Sequence, residues 1–389
     1  MLLIKNGKIL TMAGKSYDKG DILTDGKIIR DIGENLSCPE GTEVIDAGGM
    51  WVLPGMVDPH CHIGMWEDGM GFEGADGNEM TDPVTPELRA IDAINPEDYC
   101  FQEAREHGVT TVVTGPGSAN VIGGQFAALK TYGRRVDDMI IKAPVAVKAA
   151  LGENPKRVYH GKQKAPSTRM ATAAILRSAL IRAQEYKKKL EKGKTDPDKM
   201  PERDLKMEAL VKVLNREIPM KAHAHRADDI LTALRIAREF DLDVTIEHCT
   251  EGYRIPEYLL EEKAKIIVGP LFSNRSKIEL KNMSFKAPAL LSKAGVKVAM
   301  MTDHPMIPVH HLSVCAAIAV REGMDEMEAL KSVTINAAEV TGIADRVGSL
   351  EPNKDADIVI YDGHPLDFRT RAVWVFIDGN AVKRPDTAS

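Results

Sequence analysis

Between Met56 and about Gly342, short apolar runs alternate with longer stretches of helical periodicity, and this alternation constrains the fold more than any other feature of the chain. Repetition of this kind builds a parallel sheet covered by helices, an α/β architecture. Strands are predicted at 52–57, 109–114, 140–150, 220–224, 244–247, 266–270 and 296–302. Helices are predicted between and after them at 96–107, 168–190, 204–217, 227–240, 255–264, 288–294 and 309–322. That is seven strands, and a closed (β/α)8 barrel needs one more, which has no evident place between Val109 and Ile218.

The flanks read differently. Residues 1–58 are short β-patterned runs punctuated by Gly and Asn turns. After Gly348 a turn leads into a buried strand around Ile358-Val359-Ile360, then a hairpin of 373–378 and 381–383 around Gly379-Asn380. The two β-rich ends could share one sheet. A chain of 389 residues exceeds the roughly 250–300 at which single cores stop growing, so one large domain with a smaller one is expected.

A net charge of -6 supplies no field for a phosphate backbone, which argues against nucleic acid and for a small-molecule substrate. The basic stretch Lys187 to Lys194 reads as a solvated helix end. No run approaches the roughly 18 apolar residues of a membrane span, and the first ten residues read as strand and turn rather than as a leader. Five scattered cysteines without a CxxC pair indicate reduced thiols and a cytoplasmic setting. A homo-oligomer is compatible with all of this.

The chemistry gathers at strand ends. Asp58-Pro59-His60-Cys61-His62 closes the first barrel strand, and alternation puts His60 and His62 on one face. Lys221-Ala222-His223-Ala224-His225, Glu247-His248-Cys249 and Thr302-Asp303-His304 close three others. Six of the eleven histidines therefore stand where barrel enzymes carry their catalytic groups. Imidazole and carboxylate suit Zn²⁺, with Mn²⁺ or Fe²⁺ fitting the same donors, and an open coordination position acidifies a water whose proton Asp303 can accept. The alternative for Asp303 is a helix N-cap before Pro305.

Four motifs together resemble the amidohydrolase superfamily, and within it the imidazolonepropionase-related group. They are Leu53-Pro54-Gly55-Met56-Val57-Asp58-Pro59-His60-Cys61-His62, Gly108-Val109-Thr110-Thr111, the strand-end residues above, and Lys354-Asp355-Ala356-Asp357-Ile358-Val359-Ile360. The resemblance implies a distorted TIM (β/α)8 barrel over 56–344 beside a small β-sandwich formed by 1–55 and 345–389. It implies one or two divalent ions, zinc favoured, on His60, His62, His223, His248 and Asp303, with Asp303 and His248 as the catalytic pair. It further implies a carboxylated lysine bridging two ions, and Lys148, just before Gly152-Glu153, sits where that lysine would be; Glu153 is the rival ligand, leaving Lys148 to contact substrate. The implied reaction is hydrolysis of an amide or lactam C–N bond, with a heterocycle deaminase or a dipeptidase as alternatives. Deaminases of the superfamily carry a Glu after the fifth-strand His where this chain has His225, which weighs against deamination. His225, Glu153, Arg157 and Tyr159 are the candidate substrate contacts, with 152–160 read as a substrate-side loop. Arg157, Arg169 and Arg226 are the candidates for a substrate carboxylate, and the Gly-rich run 115–124 reads as a strand-end loop.

Overall fold

The computed structural model describes residues 1–385. Five strands open the chain: β1 (Leu2–Leu10), β2 (Ser16–Asp25), β3 (Ile28–Gly33), β4 (Glu43–Asp46) and β5 (Trp51–Pro54). Eight more follow: β6 (Met56–Cys61), β7 (Val109–Thr114), β8 (Ile122–Lys130), β9 (Ile140–Ala150), β10 (Met220–Ala224), β11 (Val244–His248), β12 (Lys265–Val268) and β13 (Val298–Met300). The last three are β14 (Ile358–Tyr361), β15 (Ala372–Ile377) and β16 (Asn380–Lys383).

Both ends of the chain enter one sheet, because β5 pairs antiparallel with β14 from Trp51↔Tyr361 to Pro54↔Ile358. Ile4, Ile9, Ile22, Ile29, Val52, Ile358 and Ile360 are fully buried on it. β-Branched side chains at alternating positions fit such a half-covered surface.

Strands β6 to β13 form the second sheet in sequence order and curl into a nearly closed barrel. No ladder joins β13 to β6, but their ends are tied. The buried Asp58 carboxylate accepts from Thr302 N at 3.2 Å and Thr302 Oγ1 at 2.5 Å, and His62 N donates to His304 O at 2.9 Å. Burial first, offset in part by these donors, pushes the Asp58 carboxyl up to about 7. Among the described residues no helix is long and apolar enough to cross a membrane.

The strand missing from the sequence reading is β8, and it runs antiparallel to both neighbours, so the sheet is not wholly parallel. Ile122-Gly123-Gly124-Gln125-Phe126-Ala127-Ala128-Leu129 is poor in the β-branched residues that announce a strand, and its glycines read as loop. One of those glycines is required: a Cβ at Gly124 would lie 2.3 Å from Leu88 O. The run 152–160 is likewise not a loop. It is a helix, Glu153–His160, in which Pro155 falls within the first turn, where its missing N–H costs no intrahelical bond. The basic stretch lies in the last third of the 27-residue helix Arg169–Thr195.

The reversal of β8 carries Lys130 to the end of the barrel that faces the terminal sheet. Its ammonium lies 2.6 Å from Asp357, 2.8 Å from Asp355 and 3.2 Å from Asp378. Burial pulls Lys130 down, but the three carboxylates outweigh it and hold its pKa above the ordinary 10.5. Its contribution is therefore complete below that unfolded value and is lost only as pH rises through the higher folded one. Lys130→Met is expected to destabilise by about 3–5 kcal/mol, because it strands the buried Asp357 among like charges. Urea unfolding would show this as a lower midpoint, with partial recovery in a Lys130→Met, Asp357→Asn double variant. An unchanged midpoint would remove the cluster from any role in joining the two sheets.

Candidate metal centre

Four strand ends converge on one buried polar cluster. On β6, His60 and His62 project to the interior with ring centroids 5.2 Å apart, while Cys61 points away toward Val113 O. On β10 the same alternation aligns Lys221 and His223 inward, with His225 next in step just past the strand end. On β11 alternation breaks, since Glu247 and His248 both face inward. His248 and Cys249 have φ of 71° and 48°, the left-handed turn that allows two consecutive residues to do so. Asp303, past β13, also has a left-handed φ of 55°. Backbone held in this region at a cluster of polar side chains is a mark of a functional site.

The donor atoms fall into two groups, His60/His62/Asp303 and His223/His225/His248, and in each the three atoms lie within 4.8 Å of one another. Asp303 Oδ1 is 3.3 Å from His62 Nε2 and 3.6 Å from His60 Nε2. The two groups adjoin through His60 and His248, whose ring centroids are 5.8 Å apart. Lys148, 1% exposed, places Nζ 3.1 Å from His60 Nε2.

Four of the five imidazoles have a polar neighbour behind Nδ1. His62 Nδ1 donates to Gly115 O at 2.6 Å, and His248 Nδ1 to Gly269 O at 3.0 Å. His225 Nδ1 is 2.7 Å from Thr250 Oγ1, and His60 Nδ1 is 2.9 Å from Glu247 Oε2. A carbonyl or carboxylate behind Nδ1 selects the tautomer whose Nε2 lone pair faces the cluster, as ligand histidines require. His223 has no hydrogen-bond partner on either ring nitrogen although it is buried, so one of the site's own donors awaits a ligand. Glu247 is itself held by Lys221 Nζ at 3.1 Å and Thr245 Oγ1 at 2.5 Å.

The electrostatics agree. Burial first, then neighbouring cations and imidazoles, holds His60, His223, His225 and His248 well below the ordinary imidazole pKa, so they are neutral. Burial would raise the Asp303 carboxyl, but His248, His62 and Lys148 overcome it and keep it ionised. Burial likewise brings the Lys148 ammonium down to about 8. Neutral imidazole and ionised carboxylate are the forms that bind divalent metal, so this donor set fits such an ion.

His62, His223, His225, His248 and Asp303 line the floor of a cavity of about 490 Å³ whose walls include Trp66, Asn78, Ser118, Asn154, Arg157 and Lys277. Of the expected substrate contacts, His225 and Arg157 are there. Tyr159 is not: it is fully buried and donates its hydroxyl to Asn120 Oδ1 at 2.6 Å. Glu153 enters neither ligand group, and its backbone N–H is what reaches the site, donating to Glu279 Oε2 at 2.9 Å. Arg169 and Arg226 are paired with Asp229 and Asp228, which leaves Arg157 as the guanidinium among the three that lines the cavity. His304 stands apart from both groups, accepting from Val309 N at 3.3 Å. Sequence reasoning missed Glu247, although it directly precedes His248, and Lys221, although it shares the inward face of β10 with His223. Trp66 and Lys277 sit on irregular segments and Glu279 on a single 3-10 turn, Ile278–Leu280, too short to carry a readable pattern.

Residues 51–384 match the Amidohydrolase family. The chain belongs to that family. Among curated proteins this amidohydrolase is 29% identical to amidohydrolase tasK of Hapsidospora irregularis over a 404-residue alignment, covering 95% of this chain and 40% of that protein. It is 26% identical to the adenine deaminase of Bacillus velezensis, covering 92% of this chain and 53% of that one. The chain thus spans about half the length, or less, of these curated relatives. Among solved structures, an amidohydrolase from Thermotoga maritima MSB8 superposes with a TM-score of 0.96 at 44% identity, covering 99% of this chain and all of that one. A prolidase complexed with N-methylphosphonate-L-proline shares the fold, with a TM-score of 0.61 at 18% identity.

Proposed function

We propose that this amidohydrolase opens an amide or lactam C–N bond of a small substrate with the help of two divalent ions, zinc favoured. The observation that carries this reading is the pair of adjoining groups, His60/His62/Asp303 and His223/His225/His248, of which all but His60 line the floor of one cavity. His60, His62 and Asp303 would hold one ion, and His223 and His248 the other, with carboxylated Lys148 between them. When bound, such ions acidify a water and polarise a carbonyl.

The chain's own residues do the rest. Asp303, kept ionised 3.3 Å from His62 Nε2, would take a proton from the attacking water and return it to the departing nitrogen. The Glu247–Lys221 pair holds the His60 ring. Trp66 packs against His62 in a T-shaped pair with ring centroids 4.9 Å apart, and would form an apolar wall for the substrate. The resemblance carried by the 53–62 and 354–360 motifs supports the superfamily and leaves imidazolone-type lactams and small dipeptide-like amides as the two candidate substrate classes.

Metal analysis of the purified protein, with a panel of lactams and N-acyl amides, tests the reading. In that assay Asp303→Asn, at saturating metal, is expected to lower kcat by about 10²- to 10⁴-fold. A variant as active as the parent would end the acid–base assignment.

A second reading, deamination of a nitrogen heterocycle, is favoured by the similarity to adenine deaminases. His225 standing two residues after His223 opposes it. Ammonia release from adenine, without ring opening of any lactam, would decide for it.

A further inference from the structure

A carboxylate that no sequence motif announces lies behind the second histidine group. The Glu279 side chain has no solvent exposure. One oxygen, Oε2, is engaged by the Glu153 N–H. The other, Oε1, is 3.6 Å from His225 Nε2, 3.7 Å from His223 Nε2 and 2.9 Å from Lys277 Nζ. That same ammonium is 3.2 Å from His225 Nε2 and 3.1 Å from Asn154 Oδ1. Lys277 Nζ therefore occupies the point on which the lone pairs of His225 and Glu279 converge, beside a His223 ring whose nitrogens have no partner.

We propose that this point is a cation position. In the loaded protein, Glu279 and His225 would join His223 and His248 around the second ion, and Lys277 is a resident cation that the ion displaces. The inference rests on the reading that divalent ions bind at all, and deepens it by assigning two further residues. The charge balance supports it. Three neutral imidazoles bring no negative charge to a divalent ion and a carbamate on Lys148 would share its single charge between two ions, while a fully buried carboxylate is costly without a cation beside it. Lys277 meets that need in the metal-free chain. It rides on the irregular segment after β12, lines the cavity and keeps 15% of its side chain exposed, so it has open space to move into.

Titration of the metal-free protein with Zn²⁺ by calorimetry, with ion content from elemental analysis, tests this without any activity assay. The wild type should bind two ions of unequal affinity. Lys277→Met should bind the weaker ion about tenfold more tightly, and Glu279→Gln roughly 10- to 100-fold more weakly, the scale on which metal-site partners act, with the tighter ion changed by less than about twofold. Circular dichroism and the tighter ion report whether each variant is folded, and should Glu279→Gln not fold, Lys277→Met, at a partly exposed position, decides alone. The proposal is overturned if Lys277→Met leaves the weaker affinity unchanged or lowered, or if a folded Glu279→Gln binds both ions as the wild type does. A wild type that takes up no ion defeats the metal-dependent function itself, in a measurement made before any variant is used.

Discussion

Alanine at both His60 and His62 is expected to remove the ion they share with Asp303 and to cut hydrolysis on the order of 10⁴-fold or more, because the ion brings a water from a pKa of about 15.7 toward about 7. Both rings are buried and both present Nε2 to Asp303 Oδ1, so no third donor stands ready to replace the pair. Elemental analysis should show the loss of one ion, with the His223/His225/His248 group intact on other strands. The fold should survive. Glu247, deprived of His60 Nδ1, keeps Lys221 and Thr245, and Lys221 keeps Pro59 O at 3.1 Å. Circular dichroism and an unfolding midpoint check that point. Full metal content together with full activity in the double variant would refute the ligand set outright.

How much of this was legible in the sequence depends on whether periodicity or tertiary context places a residue. The helix 227–240 was read with its exact observed bounds because a strong apolar stripe, Ile230, Ala233, Leu234 and Ala237, follows directly on a strand and ends at the left-handed Asp241. Six barrel strands were legible because buried strands are runs of Val, Ile and Ala, whereas the predicted strand 52–57 straddles two elements, its first three residues belonging to β5 of the terminal sheet and its last two to β6 of the barrel. β8 was not, since Gly123 and Gly124 are set by what approaches them from elsewhere: the Leu88 carbonyl at one, the Lys148 stem at the other. The direction of β8 was hidden for the same reason, because only pairing with β7 and β9 defines it.

The site divides along the same line. His60, His62, His223, His248 and Asp303 stand out in the sequence because strand alternation and strand ends are local signals, and the fold gathers them into two groups of donor atoms. His225 was found too, but as a substrate contact, and its place within 4.8 Å of the His223 and His248 donors emerges only when β10 and β11 are brought side by side. Glu247 was visible as a residue and invisible as a partner of His60, a contact between β6 and β11 that spans 187 positions of sequence. Tyr159 reads as a substrate contact because its segment follows a catalytic strand, whereas folding that segment as a helix turns the ring into the core.

Lys148→Ala is expected to cost one of the two ions and about 10³-fold in activity, with part of that activity returning when acetate or propionate is added. The geometry motivates this. Lys148 is all but fully buried on β9, its Nζ stands 3.1 Å from a nitrogen that should ligate metal, and Gly123 on the reversed β8 leaves room along its stem. An ammonium there would repel both ions. Addition of CO₂ to the neutral amine forms an N–C bond, releases one proton and replaces a positive group by a carbamate with two oxygens, one for each ion. Burial favours the neutral amine, which is the reacting form. The carbamate would then gain stability from the metal, and the metal from the carbamate, so neither persists well without the other. Two outcomes separate this from a substrate-binding lysine. The carbamate account requires ion content to fall in Lys148→Ala and an added short carboxylate to restore both metal and turnover. A variant that keeps both ions, shows a raised KM at unchanged kcat and ignores added carboxylate would return Lys148 to the role of substrate contact. Mass spectrometry under native conditions gives an independent check, since the carbamate adds one CO₂ to the wild-type chain and none to the variant.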